Sequence, residues 1–434
     1  MKWQPKLSIN QVRAVKKTYS EKSIALHLKK KTPFIICIYF IYIYIIFFIS
    51  VMLLLIGRYL SSNKFLLFLI IILNLRDFLE HMHTMEYKRL PLEQVYSKSL
   101  LKQCNDIMEM IEFDHQSSTH NIANHLASNA GSSRKTQIFR RKDDDGKIIA
   151  KSYPKNANFL QRLSFPLNSD ALKREFLMRA NNFDLQFCPH ESIDRFVYFL
   201  SNMSGHNETY AWLLLLTNAQ LILHSHLEEQ GFPVPRSYGL CGYTLYQEHV
   251  GDTLDVFKNA NFDIKLRIAK QLLEAALKFT NGFRDYHIYI TDLTADNLVY
   301  NVERDKLYFI DLNTAYIVDS RSVLYREDVD KHELIECDNC FAFVPDRLCS
   351  YSVSDLNLLS ACLFLREDLK GDRTKGFLKP IPSEITVKYP NLERLLDNCV
   401  SGVEGDLTGT IQEMSRFRST LTLIELIGEI LNDF

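Results

Sequence analysis

Three side chains in the second half of the chain have the types and spacing needed to hold a divalent cation and move a proton. Asp292 precedes Asn297 by five residues, and Asp311 follows the short apolar run 307–310. Carboxylate and amide oxygens are the ligands that Mg²⁺ and similar hard cations prefer. A separate carboxylate can accept the proton of an attacking hydroxyl. The set predicts metal-assisted group transfer, with Asn297 and Asp311 as metal ligands and Asp292 as the general base.

The spacing of Asp292 and Asn297 matches the catalytic loop of protein kinases, in which the Asp accepts the substrate hydroxyl proton and the Asn binds a metal ion. A further Asp at the end of the next strand binds the metal that bridges the phosphates, and Asp311 has that position. Because this spacing also arises by chance, the alternative is a polar turn in which Asp292 is a cap and Asp311 a surface carboxylate. The order of the flanking elements favours the kinase interpretation.

A lysine and a short loop upstream are candidates for phosphate binding. Lys151 ends an Ile-Ile-Ala-Lys stretch, close to the Val-Ala-Ile-Lys pattern whose lysine pairs with the α- and β-phosphates; an exposed strand lysine is the alternative. Gly131, Ser132 and Ser133 lie where a phosphate-covering loop belongs, although the sequence has no G-x-G-x-x-G there. We predict that Gly131, Ser132 and Lys151 contact ATP. Glu248 marks the connector whose backbone would receive the adenine.

The usual partner of such a lysine is a Glu on the following helix, and three residues compete for this role. Glu175 belongs to the first helical stretch after Lys151, and we predict it as the partner within the catalytic set. Gln220 has the best-matching position before the next strands, and Glu208 begins that helix. A Gln could hydrogen-bond the lysine without neutralising its charge, which is typical of a weak or altered enzyme.

The elements that must position these residues are strands first and helices later. Residues 135–141 and 147–153 predict a hairpin around an acidic turn that ends in Asp-Gly. Residues 210–229 predict a helix, residues 235–250 two strands, and the apolar spacing over 264–276 an amphipathic helix. This order indicates an α+β, bilobal protein-kinase-like fold with a small β-rich N-lobe and a larger helical C-lobe. The predicted segments are 1–33, a basic cytosolic tail; 34–56, a transmembrane signal anchor; 57–128, a stem; 129–250, the N-lobe; and 251–434, the C-lobe.

The N-terminal segment combines a basic tail with a long apolar run. Residues 1–33 hold nine Lys or Arg against the single acidic Glu21. Residues 34–56 are 23 uncharged residues, enough for a helix to cross the ~30 Å hydrocarbon layer. The positive charge before the run predicts a cytosolic N-terminus and a luminal remainder. We therefore predict a single-pass type II protein of the ER or Golgi membrane, with secretion after processing as an alternative.

In an oxidising lumen the eight cysteines beyond the apolar run would favour disulfides. Four of them lie between 337 and 362 and are predicted to staple an irregular segment. The alternative is a zinc site from Cys337 and Cys340, although no second close pair supplies the other two ligands. Two glycosylation sequons, at Asn202 and Asn207, agree with a luminal location.

The overall charge sets a limit on partners. The chain has 51 Lys and Arg against 52 Asp and Glu, so no net field attracts polyanions, and we predict no nucleic acid partner. Its hydrophobic content of 47% can fill a substantial core.

Several stretches together resemble one kinase family. They are 231–242 (Gly-Phe-Pro-Val-Pro-Arg-Ser-Tyr-Gly-Leu-Cys-Gly), 292–297, the cysteines 337, 340 and 349, Asp-Leu-Asn-Leu at 355–358 and Pro-Ile-Pro-Ser-Glu at 380–384. Over residues 130–434 the chain resembles the divergent protein kinase domain family of the secretory pathway, in particular its second branch. The resemblance implies a luminal kinase-like fold, ATP with Mg²⁺ or Mn²⁺ as cofactors, and a luminal or extracellular protein or glycan as substrate.

The chain departs from ordinary kinases at three places near the predicted site. Ile290 and Thr291 replace His-Arg, Leu312 and Asn313 replace Phe-Gly, and Thr294 stands where many kinases have a phosphate-contacting Lys. These changes keep the predicted metal ligands. The alternative to a kinase is therefore a pseudokinase that acts as a ligand or scaffold.

Overall fold

The structure is a computed structural model, and part of the chain lies outside its description. It describes residues 103–434 except 105, 108, 113–134, 144–145, 153–167, 181–186, 205–206, 242–243, 334–342, 406–410 and 414. The predicted anchor 34–56, the loop residues Gly131 and Ser132, and the Cys337/Cys340 pair therefore lie outside the described residues. Within them, every helix is too short or too polar to cross a bilayer.

Strands and helices are interspersed along the described chain, and the last helix is followed by no further element among the described residues. The strands are β1 Ile111–Glu112, β2 Lys135–Arg141, β3 Lys147–Ser152, β4 Phe187–Cys188, β5 Ser237–Cys241, β6 Thr244–Glu248, β7 Asp252–Thr253, β8 Tyr286–Tyr289, β9 Leu298–Asn301, β10 Lys306–Phe309, β11 Tyr316–Asp319, β12 Tyr325–Asp330, β13 Tyr351–Ser354, β14 Val403–Gly405 and β15 Ile411–Glu413. The helices are α1 Ser169–Ala180, α2 Ile193–Ser204, α3 Glu208–Thr217, α4 Ala219–Glu229, α5 Phe262–Asn281, α6 Pro345–Leu348, α7 Leu356–Arg366, α8 Ser383–Lys388, α9 Asn391–Ser401 and α10 Arg416–Asn432.

The N-lobe is built on a five-stranded antiparallel sheet with the order β1-β2-β3-β6-β5. The predicted hairpin is confirmed as β2 and β3, and its turn is closed by the bond from Arg141 N to Gly146 O at 2.8 Å. Edge strand β1 lies in the range that the sequence assigns to the stem. Since it pairs with β2, the sheet begins before residue 129.

The two faces of this sheet have different surroundings. Ile148 and Tyr246 lie on one face, where they pack with Ile107 and Ile111 in a small apolar cluster. Neighbouring residues of a strand point to opposite faces, so Lys151 lies on the other face, which looks toward the helical part of the molecule. The alternation thus separates a buried apolar side from the side that carries the candidate phosphate lysine.

The predicted single helix over 210–229 is two helices, α3 and α4. Asn218 separates them in an extended conformation, with φ −170° and ψ 127°. Its side-chain oxygen accepts a bond from Gln220 N at 2.8 Å and so caps the start of α4. Asn competes with helical hydrogen bonding in this way, which explains why an apolar pattern that continues across 218 does not continue as a helix.

Helix α5 is the centre of the C-lobe and confirms the amphipathic pattern seen in the sequence. It packs against α7 and α10, and its buried residues include Leu266, Leu272, Leu273 and Phe279. Each fully buried side chain of this size contributes roughly 1.5–3 kcal/mol of transfer free energy. Two small sheets lie beside it, one with the order β10-β9-β7 and one with the order β4-β11-β8, and the predicted catalytic segment runs between them.

Three disulfides lie within the described part of the chain. They join Cys104 to Cys241, Cys188 to Cys349 and Cys362 to Cys399, with Cα–Cα distances of 5.0, 5.5 and 5.8 Å. Cys349 and Cys362 therefore bond to cysteines outside the 337–362 segment that they were predicted to staple. The predicted disulfide character is present, but these two bonds link elements that are distant in sequence.

Candidate nucleotide and metal site

Lys151 reaches from the N-lobe sheet to the segment that carries the candidate metal ligand. It lies on β3, paired across the sheet with Leu245, and its Nζ donates a hydrogen bond to the carbonyl of Ile310. Ile310 directly precedes Asp311. Lys151 and Asp311 are 160 residues apart in sequence (311 − 151). They nevertheless meet at the peptide group between Ile310 and Asp311.

A second side chain from the N-lobe binds the same carbonyl. The Nε2 of Gln220, on α4, donates to Ile310 O at 3.3 Å, and Gln220 is fully buried. Glu175 lies half-buried on α1, which packs against α3, and it forms no contact with Lys151 in the described part of the chain. The structure therefore brings Gln220, and not Glu175, to the Lys151 side of the site.

Glu208, the third candidate partner, lies exposed at the start of α3. Its carboxylate accepts a hydrogen bond from Trp212 Nε1, one helical turn further on, at 3.4 Å. This contact belongs to the first turn of α3. The helix that faces Lys151 therefore supplies a neutral amide, which can accept or donate hydrogen bonds but adds no negative charge.

The catalytic segment is connected to the Ile310 peptide from the other side. Strands β9 and β10 pair Leu298 with Phe309, so Asn297 and Ile310 lie side by side just beyond the pair. Ile310 N donates to Asn297 O at 3.0 Å, and Asn297 Nδ2 donates to Asp292 O at 3.0 Å. The Asp292 side chain is exposed, as a base that meets a substrate must be.

Asp311 has local hydrogen bonds and the chemistry of a metal ligand. Its Oδ1 accepts from Asn313 N at 3.3 Å and from the Asn313 side-chain amide. Asn313 thus orients the carboxylate from the position at which ordinary kinases have Gly. Asn297 and Asp311 together offer amide and carboxylate oxygens. No cluster of three or more His, Cys, Asp or Glu suited to a metal occurs among the described residues. Mg²⁺ is commonly held by one or two protein oxygens together with phosphate oxygens and water, and both side chains offer oxygens of this type.

The support beneath the catalytic segment comes from Asn357 on α7. Its Oδ1 accepts from Ile290 N at 2.8 Å, and its Nδ2 donates to Ile288 O at 2.8 Å and to Thr280 Oγ1 at 3.1 Å. Asp355 lies two residues before Asn357 and has other partners. The signal that the sequence analysis missed was a second polar residue two positions later, inside the apolar run of α7.

The carboxylate of Asp355 contacts residues outside the catalytic segment. Its Oδ1 accepts from His332 N at 2.7 Å, and its Oδ2 pairs with Arg416 at the start of α10. Both charged side chains are almost fully buried, at 4% and 3% exposed. Burial raises the pKa of Asp355 in spite of the neighbouring arginine, and burial also lowers the pKa of Arg416. The pair therefore ties α7 to α10 rather than supporting the catalytic segment.

His224 lies one turn after Gln220 on α4. It is fully buried, and its Nε2 contacts Pro235 O at 2.9 Å. Burial lowers the pKa of His224 to about 4, and the positive charge of Lys151 acts in the same direction. The ring is thus neutral near pH 7.

Glu248 ends strand β6, where the chain leaves the N-lobe sheet. Its carboxylate accepts from Arg304 Nη2 at 2.7 Å, and this contact raises the pKa of Arg304. Its backbone N donates to Arg236 O at 2.8 Å. The side chain of Glu248 is therefore used between the lobes, and recognition of a base at this connector would fall to neighbouring groups. The other predicted nucleotide contacts, Gly131 and Ser132, lie outside the described residues.

Lys151 lies on the third strand of the five-stranded sheet and bonds the residue before Asp311, the predicted metal ligand. This arrangement of a sheet and a helical lobe is that of a protein-kinase-like fold. The sequence model of the family described as "Protein-kinase domain of FAM69" matches residues 211–402. That interval contains Gln220, Asp292, Asn297 and Asp311.

Curated relatives agree with this class. The chain is 26% identical over 272 residues to "Divergent protein kinase domain 2A" of Xenopus tropicalis and 25% identical to that of Homo sapiens, with 58% of this chain and 61% of each relative covered. The Mus musculus protein is 27% identical over 240 residues, with 50% and 56% covered. The chain thus spans less than two thirds of these relatives. Together with the family match, they show that the chain is similar to divergent protein kinase domains.

One solved structure, described as "Structure of vaccinia related kinase 3", is also similar. The match covers 70% of this chain and 86% of that chain, with 13% identity and a TM-score of 0.28.

Proposed function

We propose that this chain is a secretory-pathway kinase that transfers the γ-phosphate of ATP to a hydroxyl of a luminal or extracellular protein or glycan. The observation that carries the proposal is a continuous series of contacts across the cleft. Lys151 bonds Ile310 O, Ile310 N bonds Asn297 O, and the Asn297 amide bonds Asp292 O. The backbone of one residue, Ile310, therefore connects the candidate phosphate lysine to the segment that carries the candidate metal ligand Asn297 and the candidate base.

In this proposal each residue has a distinct role. Lys151 binds the α- and β-phosphates, Asn297 and Asp311 hold Mg²⁺ or Mn²⁺, and exposed Asp292 accepts the proton of the attacking hydroxyl. The bound metal would offset the negative charge of the phosphates. Asn357, which fixes the backbone at Ile288 and Ile290, keeps the segment with Asp292 in place.

Nucleotide binding is tested by thermal unfolding with and without ATP and Mn²⁺. A ligand at 100 times its Kd stabilises the folded state by about 2.7 kcal/mol, which raises Tm measurably. We expect a clear rise for the natural chain and its loss in Asp311→Ala, because that change removes a metal ligand. Asp194→Ala, which removes an exposed carboxylate paired with Lys173, is the matched control and should keep the rise. An equal rise in both variants would contradict the assignment of Asp311.

A pseudokinase is the second candidate, and Gln220 is the observation that favours it. The neutral amide shares the Ile310 carbonyl with Lys151 where an active kinase is expected to have a carboxylate. An autophosphorylation assay with labelled ATP distinguishes the two proposed functions. An active kinase loses labelling in Asp292→Ala and keeps it in Asp194→Ala, whereas a pseudokinase shows no labelling in any of the three proteins.

The luminal location is part of the proposal and rests on the charge around residues 34–56 and on the two sequons. Asn202 is exposed near the end of α2, whereas the Oδ1 of Asn207 caps α3 by accepting from Tyr210 N at 2.8 Å. We expect a glycan on Asn202 of the full chain in animal cells, seen as a gel-mobility shift that an N-glycosidase removes. The shift should be lost in Asn202→Gln. Unglycosylated protein with both sequons intact would contradict a luminal domain.

A further inference from the structure

The side chain of Gln247, on strand β6, is a buried amide that makes no hydrogen bond among the described residues. Its side chain is fully buried, and neither its Nε2 nor its Oε1 has a hydrogen-bond partner within the part of the chain that the structure describes. A primary amide carries two donor hydrogens and an acceptor oxygen. Burial of such a group without partners is destabilising, because the hydrogen bonds that it makes to water in the unfolded chain are lost.

The strand register places this amide on the side of the sheet that carries Lys151. Strands β3 and β6 are antiparallel, and they pair Ile149 with Gln247 and Lys151 with Leu245. Directly paired residues project from the same face, and positions two apart along a strand do so too. Tyr246, between Leu245 and Gln247, points to the opposite face, where it packs in the apolar cluster with Ile148. Gln247 therefore shares its face with the candidate phosphate lysine.

The position along the strand is equally informative. Gln247 directly precedes Glu248, at which the chain leaves the sheet for the connector between the lobes. Lys151 marks the phosphate end of the proposed site, and the connector marks the end at which a base would lie. An amide with both donor and acceptor capacity thus stands at the base end of the same face.

We propose that the Gln247 amide recognises the adenine base through its 6-amino group and an adjacent ring nitrogen. Gln side chains pair with adenine by accepting one hydrogen bond from the amino group and donating one to a ring nitrogen. This inference rests on the proposed nucleotide site and adds to it a residue that determines base specificity. It also accounts for a buried amide that weakens the unliganded fold, since local violations of packing rules concentrate at functional sites.

The amide is fully buried, so a base reaches it only after neighbouring side chains move. The resulting hydrogen bonds would then be buried. A ligand that lacks one of the two partners leaves an unpaired polar group in the complex, which is how buried polar sites reject close analogues.

The test compares two ligands on three proteins. ATP and the purine nucleoside triphosphate that has hydrogen in place of the 6-amino group are titrated, each with Mn²⁺, against the natural chain, Gln247→Met and Tyr246→Phe. Thermal shift gives the relative affinity for the two ligands, and the Tm without ligand is recorded for each protein. Tyr246→Phe removes a hydroxyl from the same strand on the opposite face and serves as the matched control.

We expect the natural chain and Tyr246→Phe to bind ATP about tenfold more tightly than the analogue, the ratio typical of one hydrogen bond. In Gln247→Met the two ligands should bind equally, while the Tm without ligand rises because an apolar side chain of similar length replaces the unpaired amide. A tenfold preference that persists in Gln247→Met would overturn the inference and leave the proposed function intact. Absence of any shift with either triphosphate in the natural chain would overturn both.

Discussion

Buried polar side chains differ between the lower side of the candidate site, which is the part of the C-lobe that supports the catalytic segment, and the upper side, which is the N-lobe. Below the catalytic segment, Asn357 uses both its amide oxygen and its amide nitrogen in hydrogen bonds of 2.8–3.1 Å. Above it, the Nδ1 of His224 and both amide atoms of Gln247 are buried without a partner in the described part of the chain. Gln220, also on the upper side, is a neutral residue beside a lysine.

The lower side continues into a network of buried charges. Asp330 accepts from Arg347 Nε at 2.9 Å, Ser354 Oγ at 2.9 Å and His332 Nδ1 at 3.1 Å. Burial alone would raise the pKa of Asp330, but these hydrogen bonds and the charge of Arg347 outweigh it and lower the pKa. Fully satisfied networks of this kind hold one arrangement rigidly.

The contrast indicates a division of labour between the lobes. The C-lobe fixes the backbone that presents Asp292, through the hydrogen bonds of Asn357 to Ile288 and Ile290. The N-lobe keeps hydrogen-bonding capacity on the face that carries Lys151, at the expense of stability without ligand. The effects of substitutions on the free energy of unfolding should therefore differ between the two sides, both in size and in their dependence on pH.

The largest effect is expected from breaking the buried pair on the lower side. Asp355→Ala leaves Arg416 as an uncompensated buried charge, which typically lowers the free energy of unfolding by about 4 kcal/mol. Urea unfolding followed by circular dichroism measures this loss. The same urea series on Glu393→Ala, which breaks a pair with Lys379 in which the Glu is 55% exposed, should lose less than about 1 kcal/mol. Similar losses in the two variants would contradict the conclusion that the buried network contributes more to the free energy of unfolding than an exposed ion pair does.

A smaller and pH-dependent effect is expected on the upper side. In the unfolded chain His224 takes up a proton near pH 6.5, but in the folded chain it does so only near pH 4. Acidification from pH 6.5 to 5 therefore favours the unfolded state, by at most about 2 kcal/mol from this residue. His224→Leu removes this contribution.

The measurement for His224 is the free energy of unfolding at several pH values for both proteins. The difference between the natural chain and His224→Leu should change across the interval from pH 6.5 to 5 and stay constant at pH 7 and above, where the ring is neutral in both states. A difference that does not change with pH would mean that the folded chain tolerates a charged ring at this position.

Patterns with strict periodicity were predicted correctly from the sequence. The hairpin of β2 and β3 and the amphipathic helix α5 follow from alternation with period two and from apolar spacing at four residues. The residues proposed for the site were found from their spacing, and in the structure Lys151 and Asn297 both bond the backbone of Ile310, while Asn297 also bonds Asp292 O. Their roles in catalysis remain predictions.

Features that depend on a single side-chain contact were not predictable. The break at Asn218 depends on one cap, and strand β1 is only two residues long and visible only through its pairing with β2. Asn357 lies within an apolar helix, where the sequence alone does not show which backbone groups it meets. The choice of Gln220 over Glu175 likewise depends on how α1 and α4 pack, which local periodicity does not encode.

The bond between Cys104 and Cys241 has a consequence for proteolysis. The two cysteines enclose β1, the loop to β2, Lys151 and the whole of α4 within one covalent ring of the chain. A protease that cuts once anywhere inside this ring yields two fragments that stay joined under non-reducing conditions. Cleavage that separates the residues before Cys104 from the domain must therefore fall on the N-terminal side of Cys104, and the domain then keeps its edge strand.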